Sequence, residues 1–140
     1  MNLVVDCSFI MSSILPDENQ TKIEAVCKQI DQGFYDVYVP SIFYLECHNV
    51  LLCSLKRERI TKENYSEYLR ILSFLPIKMD IFSTTTDSFY PIGNIADKYE
   101  LSSYDASYLD LAIRMESKLV TFDKKLIRAC KKVNVEVLEL

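Results

Sequence analysis

The chain has 140 residues, 49% of them hydrophobic and 26% charged, which excludes a disordered or collagen-like polymer and suits a single domain, 1–140, able to bury a core without staples. Against 16 Lys and Arg stand 20 Asp and Glu, a net charge of −4. That balance argues against a basic, nonspecific nucleic-acid coat protein, but leaves local binding open wherever a basic patch or a bound cation reverses the sign.

Leu3-Val4-Val5 is a short apolar run that reads as a buried strand ending at Asp6. From Asn19 to Gln32, apolar residues fall at Ile23, Val26, Cys27 and Ile30, which is helical spacing. Asp17 and Gln20 resemble a capping box for this helix, and Gly33 is placed to end it. Tyr35 to Val39 reads as a second strand. Pro40-Ser41 then opens a helix to about Lys56, with Ser41 as its cap. Thr61 caps a further helix carrying Tyr65, Tyr68, Leu69 and Leu72, and Ile77 to Ile81 reads as a third strand. Residues 87–100 have a helical pattern that Pro91 and Gly93 weaken. Ser102 or Ser103 caps a helix through Glu116. Leu119-Val120-Thr121 is a strand ending near Asp123, residues 124–132 form a basic amphipathic helix, and Val133 to Leu138 reads as a closing strand.

Strands separated by helices point to an α/β domain with a mostly parallel sheet and helices on both faces. The five cysteines are odd in number and show no C-x-x-C pair, so reduced thiols filling a core are expected. Asp6 interrupts the first apolar stretch, no basic segment precedes it, and no apolar run is long enough to span a bilayer. A cytoplasmic protein with no membrane contact is the expectation.

Ligands of parallel sheets bind beyond the carboxyl ends of the strands, which selects Asp6 and Asp123. Helical geometry adds two more acids. With Ile42 at zero, Cys53, Val50 and Phe43 fall at about 20°, 80° and 100°, and Glu46 falls at about 40° among them. With Asp105 at zero, Leu109, Ala112 and Ile113 fall at about 40°, −20° and 80°, so Asp105 shares an apolar face. Asp110 falls at about 140°, beside Arg114 at i,i+4, where an exposed ion pair is expected. Each acid could instead serve as a helix cap or a surface residue. Four converging carboxylates would repel one another and call for a cation, and all-oxygen ligation favours Mg²⁺ or Mn²⁺ over zinc.

These residues resemble the motifs of PIN-domain nucleases. Asp6-Cys7-Ser8 resembles the first motif and Glu46 matches the second acid. Tyr104-Asp105-Ala106, with Tyr108 and Ala112, resembles the third, and Leu119-Val120-Thr121-Phe122-Asp123 resembles the fourth. The resemblance spans essentially the whole chain, whose size is that of bacterial VapC-type toxins. It implies a three-layer α/β/α domain around a central parallel sheet. It also implies an endoribonuclease using one or two Mg²⁺ or Mn²⁺ ions to activate water against RNA phosphodiesters, with tRNA or rRNA as target. A homodimer and a cognate antitoxin of a type II toxin–antitoxin pair are implied as partners. By the same resemblance Asp6, Glu46, Asp105 and Asp123 are the metal-binding catalytic acids, and Ser8 and Thr121 are supporting hydroxyls.

Basic residues gather at Lys56, Arg57, Arg59 and Lys62, and again at Lys124, Lys125, Arg128, Lys131 and Lys132. Lys124 and Lys125 lie nearest Asp123 and are candidate phosphate contacts, and Tyr104 and Tyr108 are candidate stacking residues. His48 falls opposite Glu46 on its helix and has no expected role. An aspartyl-phosphate phosphatase would need a second aspartate where Ser8 stands, and a receiver domain would need a different late-strand motif. A binding module without nuclease activity and a housekeeping ribonuclease are the remaining alternatives.

Overall fold

The computed structural model describes residues 1–15 and 20–140. Four strands, β1 (Asn2–Val5), β2 (Asp36–Pro40), β3 (Ile77–Asp80) and β4 (Lys118–Val120), form one sheet in the order β3-β2-β1-β4. Every pairing is parallel. β1 is flanked on both edges, and its Leu3, Val4 and Val5 are fully buried. A strand covered on both faces needs this unbroken apolar run, and each such side chain contributes about 1.5–3 kcal/mol of burial.

Helices α1 (Cys7–Ile14) and α2 (Gln20–Asp31) link β1 to β2, and α3 (Phe43–Lys56) and α4 (Lys62–Ser73) link β2 to β3. Two short 3-10 turns, then α5 (Phe89–Tyr99) and α6 (Ser103–Arg114), lead back to β4, and α7 (Lys124–Lys132) follows it. The first two crossovers step one way along the sheet and the third steps back. Right-handed connections therefore put α1–α4 on one face and α5–α6 on the other, giving the three-layer α/β/α architecture. Contacts agree: α1 packs on α2 and α3, while α6 packs on β1, β2, α5 and α7.

The point where chain direction across the sheet reverses lies between β1 and β4. Parallel sheets open a crevice at the carboxyl ends of strands at such a point. The loops leaving those two strands begin with Asp6 and Thr121, and Asp6 N–H donates 3.3 Å to the Val120 carbonyl, closing the strand ends together.

Several elements differ from expectation. Helix α1 was not anticipated; Asp6, which ends β1, also caps it by accepting from Phe9 N–H. Asp17 of the expected capping box, and Asn19 at the expected start of its helix, lie outside the described residues; Gly33 does end α2, at φ 78°. Ser41 is not a cap. Ile42 holds that position, and the Ser41 hydroxyl is 2.6 Å from that of Ser83. Helix α5 forms despite Pro91, because proline sits in the first turn, where its missing N–H costs nothing. Val133 to Leu138 makes no strand, only a single parallel bridge between Leu119 and Val137. Thr61 caps α4 reciprocally with Asn64, and Ser102 caps α6. All five cysteines are free thiols, and no helix among the described residues is long and apolar enough to cross a membrane.

Candidate active site

Asp6 stands at the end of β1 and is 6% exposed. Its Oδ1 accepts from the Ser8 hydroxyl at 2.7 Å and from Phe9 N–H at 3.0 Å, and its Oδ2 accepts from the Thr121 hydroxyl. The two hydroxyls tie the loops of β1 and β4 together. Ser8 Oγ accepts Phe122 N–H at 3.1 Å, and Thr121 Oγ1 accepts Asp123 N–H at 3.0 Å. Asp123 in turn caps α7, accepting Leu126 N–H at 2.9 Å through Oδ1. Capping and site membership are thus not alternatives: Asp6 and Asp123 each spend one oxygen on helix N–H groups, and the cap fixes where the carboxylate stands.

Glu46 comes from the first turn of α3. The buried face of that helix is Phe43, Cys47 and Leu51, while Val50 and Cys53 are exposed. Glu46 therefore lies at the border of the buried face, not at its centre, and its half-buried side chain faces the cleft. The Tyr108 hydroxyl donates 2.7 Å to its Oε1. Tyr108 is 1% exposed, so it is a buried support for Glu46 and not a stacking surface; Tyr104 is 57% exposed and open to contact.

Helix α6 is buried almost all round, from Ala106 to Ala112. A one-sided wheel does not describe it, and Asp110 is correspondingly buried, not exposed. What separates the two aspartates is their partners. Asp110 accepts from Arg114 Nε at 2.7 Å, and Arg114 reaches on to Asp80 at 2.7 Å with its guanidinium 4.3 Å from the centre of the Phe82 ring. Asp105, near the start of the helix, takes part in no ion pair among the described residues.

One cleft of about 420 Å³ is lined by Asp6, Ser8, Glu46, Asp105, Tyr108 and Asp123, with Cys7, Met11, Ser12 and Val50 completing it. A larger apolar cavity of about 500 Å³, bounded by Phe89, Tyr90, Ile92 and Tyr104, lies beside the acids without including them. Among the described residues none of the four acids takes part in an ion pair. In Asp6, Glu46 and Asp105 burial comes first and the charge of neighbouring acids adds to it. Burial pushes the Asp6 carboxyl up, its three hydrogen bonds pull it back, and the charge of Asp105 pushes again. Burial likewise raises Glu46, against the Tyr108 bond, with Asp105 and Asp6 adding to the rise. Asp105 is raised by burial and then by Asp123, with Ser102 and Lys125 drawing it back.

All-oxygen, anionic and lacking ion-pair partners, this donor set suits a hard divalent cation. Among the described residues no three His, Cys, Asp or Glu side chains already converge as a metal cage. Lys124 and Lys125 are exposed on α7 beside Asp123. His48 is exposed, 2.6 Å from the Tyr65 hydroxyl, and away from the cleft. Sequence reasoning missed the Tyr108–Glu46 bond and the contact between Cys7 and Cys47, the residues that follow Asp6 and Glu46, whose sulfurs lie 3.5 Å apart. Burial on an all-round apolar helix could have flagged Tyr108, since a buried phenol needs a hydrogen-bond acceptor.

Similarity to known proteins follows the same lines. Solved structures with this fold include PAE2754 from Pyrobaculum aerophilum (TM-score 0.68, 22% identity, covering 92% of this chain and 79% of that one). FitAcB from Neisseria gonorrhoeae has a TM-score of 0.68 at 16% identity, covering 98% and 96%. VapBC2 from Rickettsia felis, solved bound to a DNA fragment from its promoter, has a TM-score of 0.62 at 20% identity, covering 99% and 98%. Comparison with curated protein sequences gives no match. The model of the PIN domain, a domain generally found in nucleases, matches residues 3–132, and on that match, which takes in all four acids of the cleft, the chain belongs to the PIN domain family.

Proposed function

We propose that this chain is an endoribonuclease dependent on Mg²⁺ or Mn²⁺ and the toxin of a type II toxin–antitoxin pair. One observation carries the reading: carboxylates from four separate elements line a single cleft at the switch point of the sheet, and among the described residues none has a lysine or arginine ion pair. Asp6, Glu46, Asp105 and Asp123 would hold the cation, which when bound supplies an activated water and neutralises charge building on the phosphodiester. The protein's own part is positional. Ser8 and Thr121 fix the rotamer of Asp6, Tyr108 fixes Glu46, and the caps of α1 and α7 set the two strand-end acids. Burial raises the carboxyls of Asp6, Glu46 and Asp105, and a bound cation would favour their ionised forms, so cation binding and deprotonation are linked. Lys124 and Lys125 draw the substrate phosphate toward this negative cleft.

Likeness to VapBC2 and FitAcB supports a cognate antitoxin as partner. Exposed Leu45, Leu52, Phe89 and Tyr90 on α3 and α5 support protein contacts, including a second copy of the chain. The test is purified protein on a panel of tRNAs and rRNA fragments with Mg²⁺, Mn²⁺ or EDTA, alongside Asp6→Asn and Asp105→Asn. Cleavage that needs the cation and is lost in both variants is expected. Cleavage unchanged in Asp6→Asn would overturn the scheme, RNA binding without cleavage would leave a binding module, and cleavage confined to precursor RNAs would favour a housekeeping enzyme.

A further inference from the structure

Helix α7 reads KKLIRACKK: within nine residues it carries Lys124, Lys125, Arg128, Lys131 and Lys132 and no acid, in a chain of net charge −4. All five cations are exposed, and among the described residues none takes part in an ion pair. A helix face that serves only solubility mixes signs. Here Arg128 stands at i+3 or i+4 from each of the other four, and like charges at those spacings repel. Lys124 and Lys125 also occupy the first turn, where the helix dipole disfavours cations. Both features cost stability, and an anion laid along the helix would relieve both.

The helix settles where that anion would lie. Leu126, Ala129 and Cys130 are buried. Lys125, Arg128 and Lys132 run down one flank of this buried face over about 10 Å of helix axis. That flank faces the end of α5: a small concavity of about 100 Å³ is lined by Tyr99, Glu100, Lys125, Arg128, Ala129 and Lys132. At its upper end the stripe begins two residues after Asp123, which caps α7 and lines the acid cleft. Glu100 is the one carboxylate in the concavity. It would repel a free anion, whereas a sugar–phosphate backbone also offers it a hydroxyl to accept from.

We infer that Lys125, Arg128 and Lys132, with Glu100 opposite, form a backbone-binding track that carries single-stranded RNA away from the acid cleft along α7. This rests on the proposed ribonuclease reading and adds the residues that position its substrate. Two phosphates fall to Arg128 and Lys132, beyond the reach of the chemistry at Asp6.

The test is anisotropy of a fluorescein-labelled single-stranded RNA in EDTA, between about 50 and 200 mM salt, for wild type and R128S/K132S. Losing two phosphate contacts flattens the salt slope by about 1.4, at about 0.7 per contact on a single strand. In Mg²⁺ or Mn²⁺ the variant raises KM and leaves kcat unchanged. R57S/R59S removes the same charge where α3 ends, about 15 Å of helix from Glu46, and is expected to keep the wild-type slope. Removing repelling charges from α7 leaves its thermal midpoint no lower than that of wild type, which a melting curve checks. A wild-type slope in R128S/K132S, or equal flattening in both double variants, overturns the track while cleavage by wild type still upholds the ribonuclease. Wild type that neither binds nor cleaves RNA removes both.

Discussion

Replacing Tyr108 by phenylalanine deletes one oxygen atom and keeps the ring that fills the core. The hydroxyl donates at 2.7 Å to Glu46 Oε1 from a residue that is 1% exposed, a length typical of a bond to a charged acceptor. Such bonds contribute about 1.5–3 kcal/mol. Glu46 borders an open cleft, so water can replace part of the bond, and the expected loss at pH 7 is about 2 kcal/mol, a roughly thirtyfold change in the folding equilibrium. The sign with pH is fixed by the burial of Glu46, which raises its carboxyl above the ordinary value, while the Tyr108 bond lowers it. Without the bond the carboxyl rises further. The folded variant then holds its proton to higher pH than the unfolded chain, so its stability falls more steeply as pH climbs through and above the ordinary carboxylate range. Below about pH 4 both proteins carry a neutral Glu46, and the difference shrinks to that of a neutral hydrogen bond, about 0.5–1 kcal/mol. Urea unfolding followed by circular dichroism at the two pH values measures both differences. An equal loss at both would show that the hydroxyl does not serve an ionised Glu46, and no loss at pH 7 would show that it holds nothing. On the ribonuclease reading, the acidic limb of the rate profile also moves to higher pH.

Other outcomes follow from the same geometry. Asp105→Asn removes a carboxylate raised by burial and by Asp123; in EDTA at pH 7 it stabilises by up to about 1 kcal/mol after solvent screening, and the gain disappears in acid, where the native aspartate is protonated. Mn²⁺ raises the thermal midpoint of wild type at pH 7, does so far less near pH 4, and EDTA reverses the shift; a pH-independent shift would place the ion elsewhere. Arg114→Met strands Asp110, 5% exposed, without its partner, and costs about 3–5 kcal/mol in urea unfolding, most of which D110L/R114M recovers.

The strands and the acids at their ends were legible because parallel sheets demand continuous apolar runs and place function at their carboxyl ends. Leu3-Val4-Val5 and Leu119-Val120 carry that signature. Glu46 was legible as an acid too close to an apolar face, although the buried face runs through Phe43, Cys47 and Leu51 and leaves Val50 and Cys53 exposed. Asp110 shows the limit of a helical wheel. A helix covered on all sides has no polar face; Asp110 pairs with Arg114 of its own helix, and the burial of that pair depends on Asp80 and Phe82 arriving from a distant strand end and turn. Helix α1 was hidden because its N-cap doubles as a site residue, and the Cys7–Cys47 and Tyr108–Glu46 pairs were hidden because they join segments far apart in sequence.

The hydroxyl bridge from Ser8 and Thr121 to Asp6 has a bearing on biosynthesis. Asp6 precedes β4 by more than a hundred residues, yet one of its donors, and Asp123 itself, come from the loop beyond β4. A nascent chain halted before that loop emerges cannot assemble the acidic centre, so on the ribonuclease reading cleavage waits until residue 123 is free to fold against Asp6.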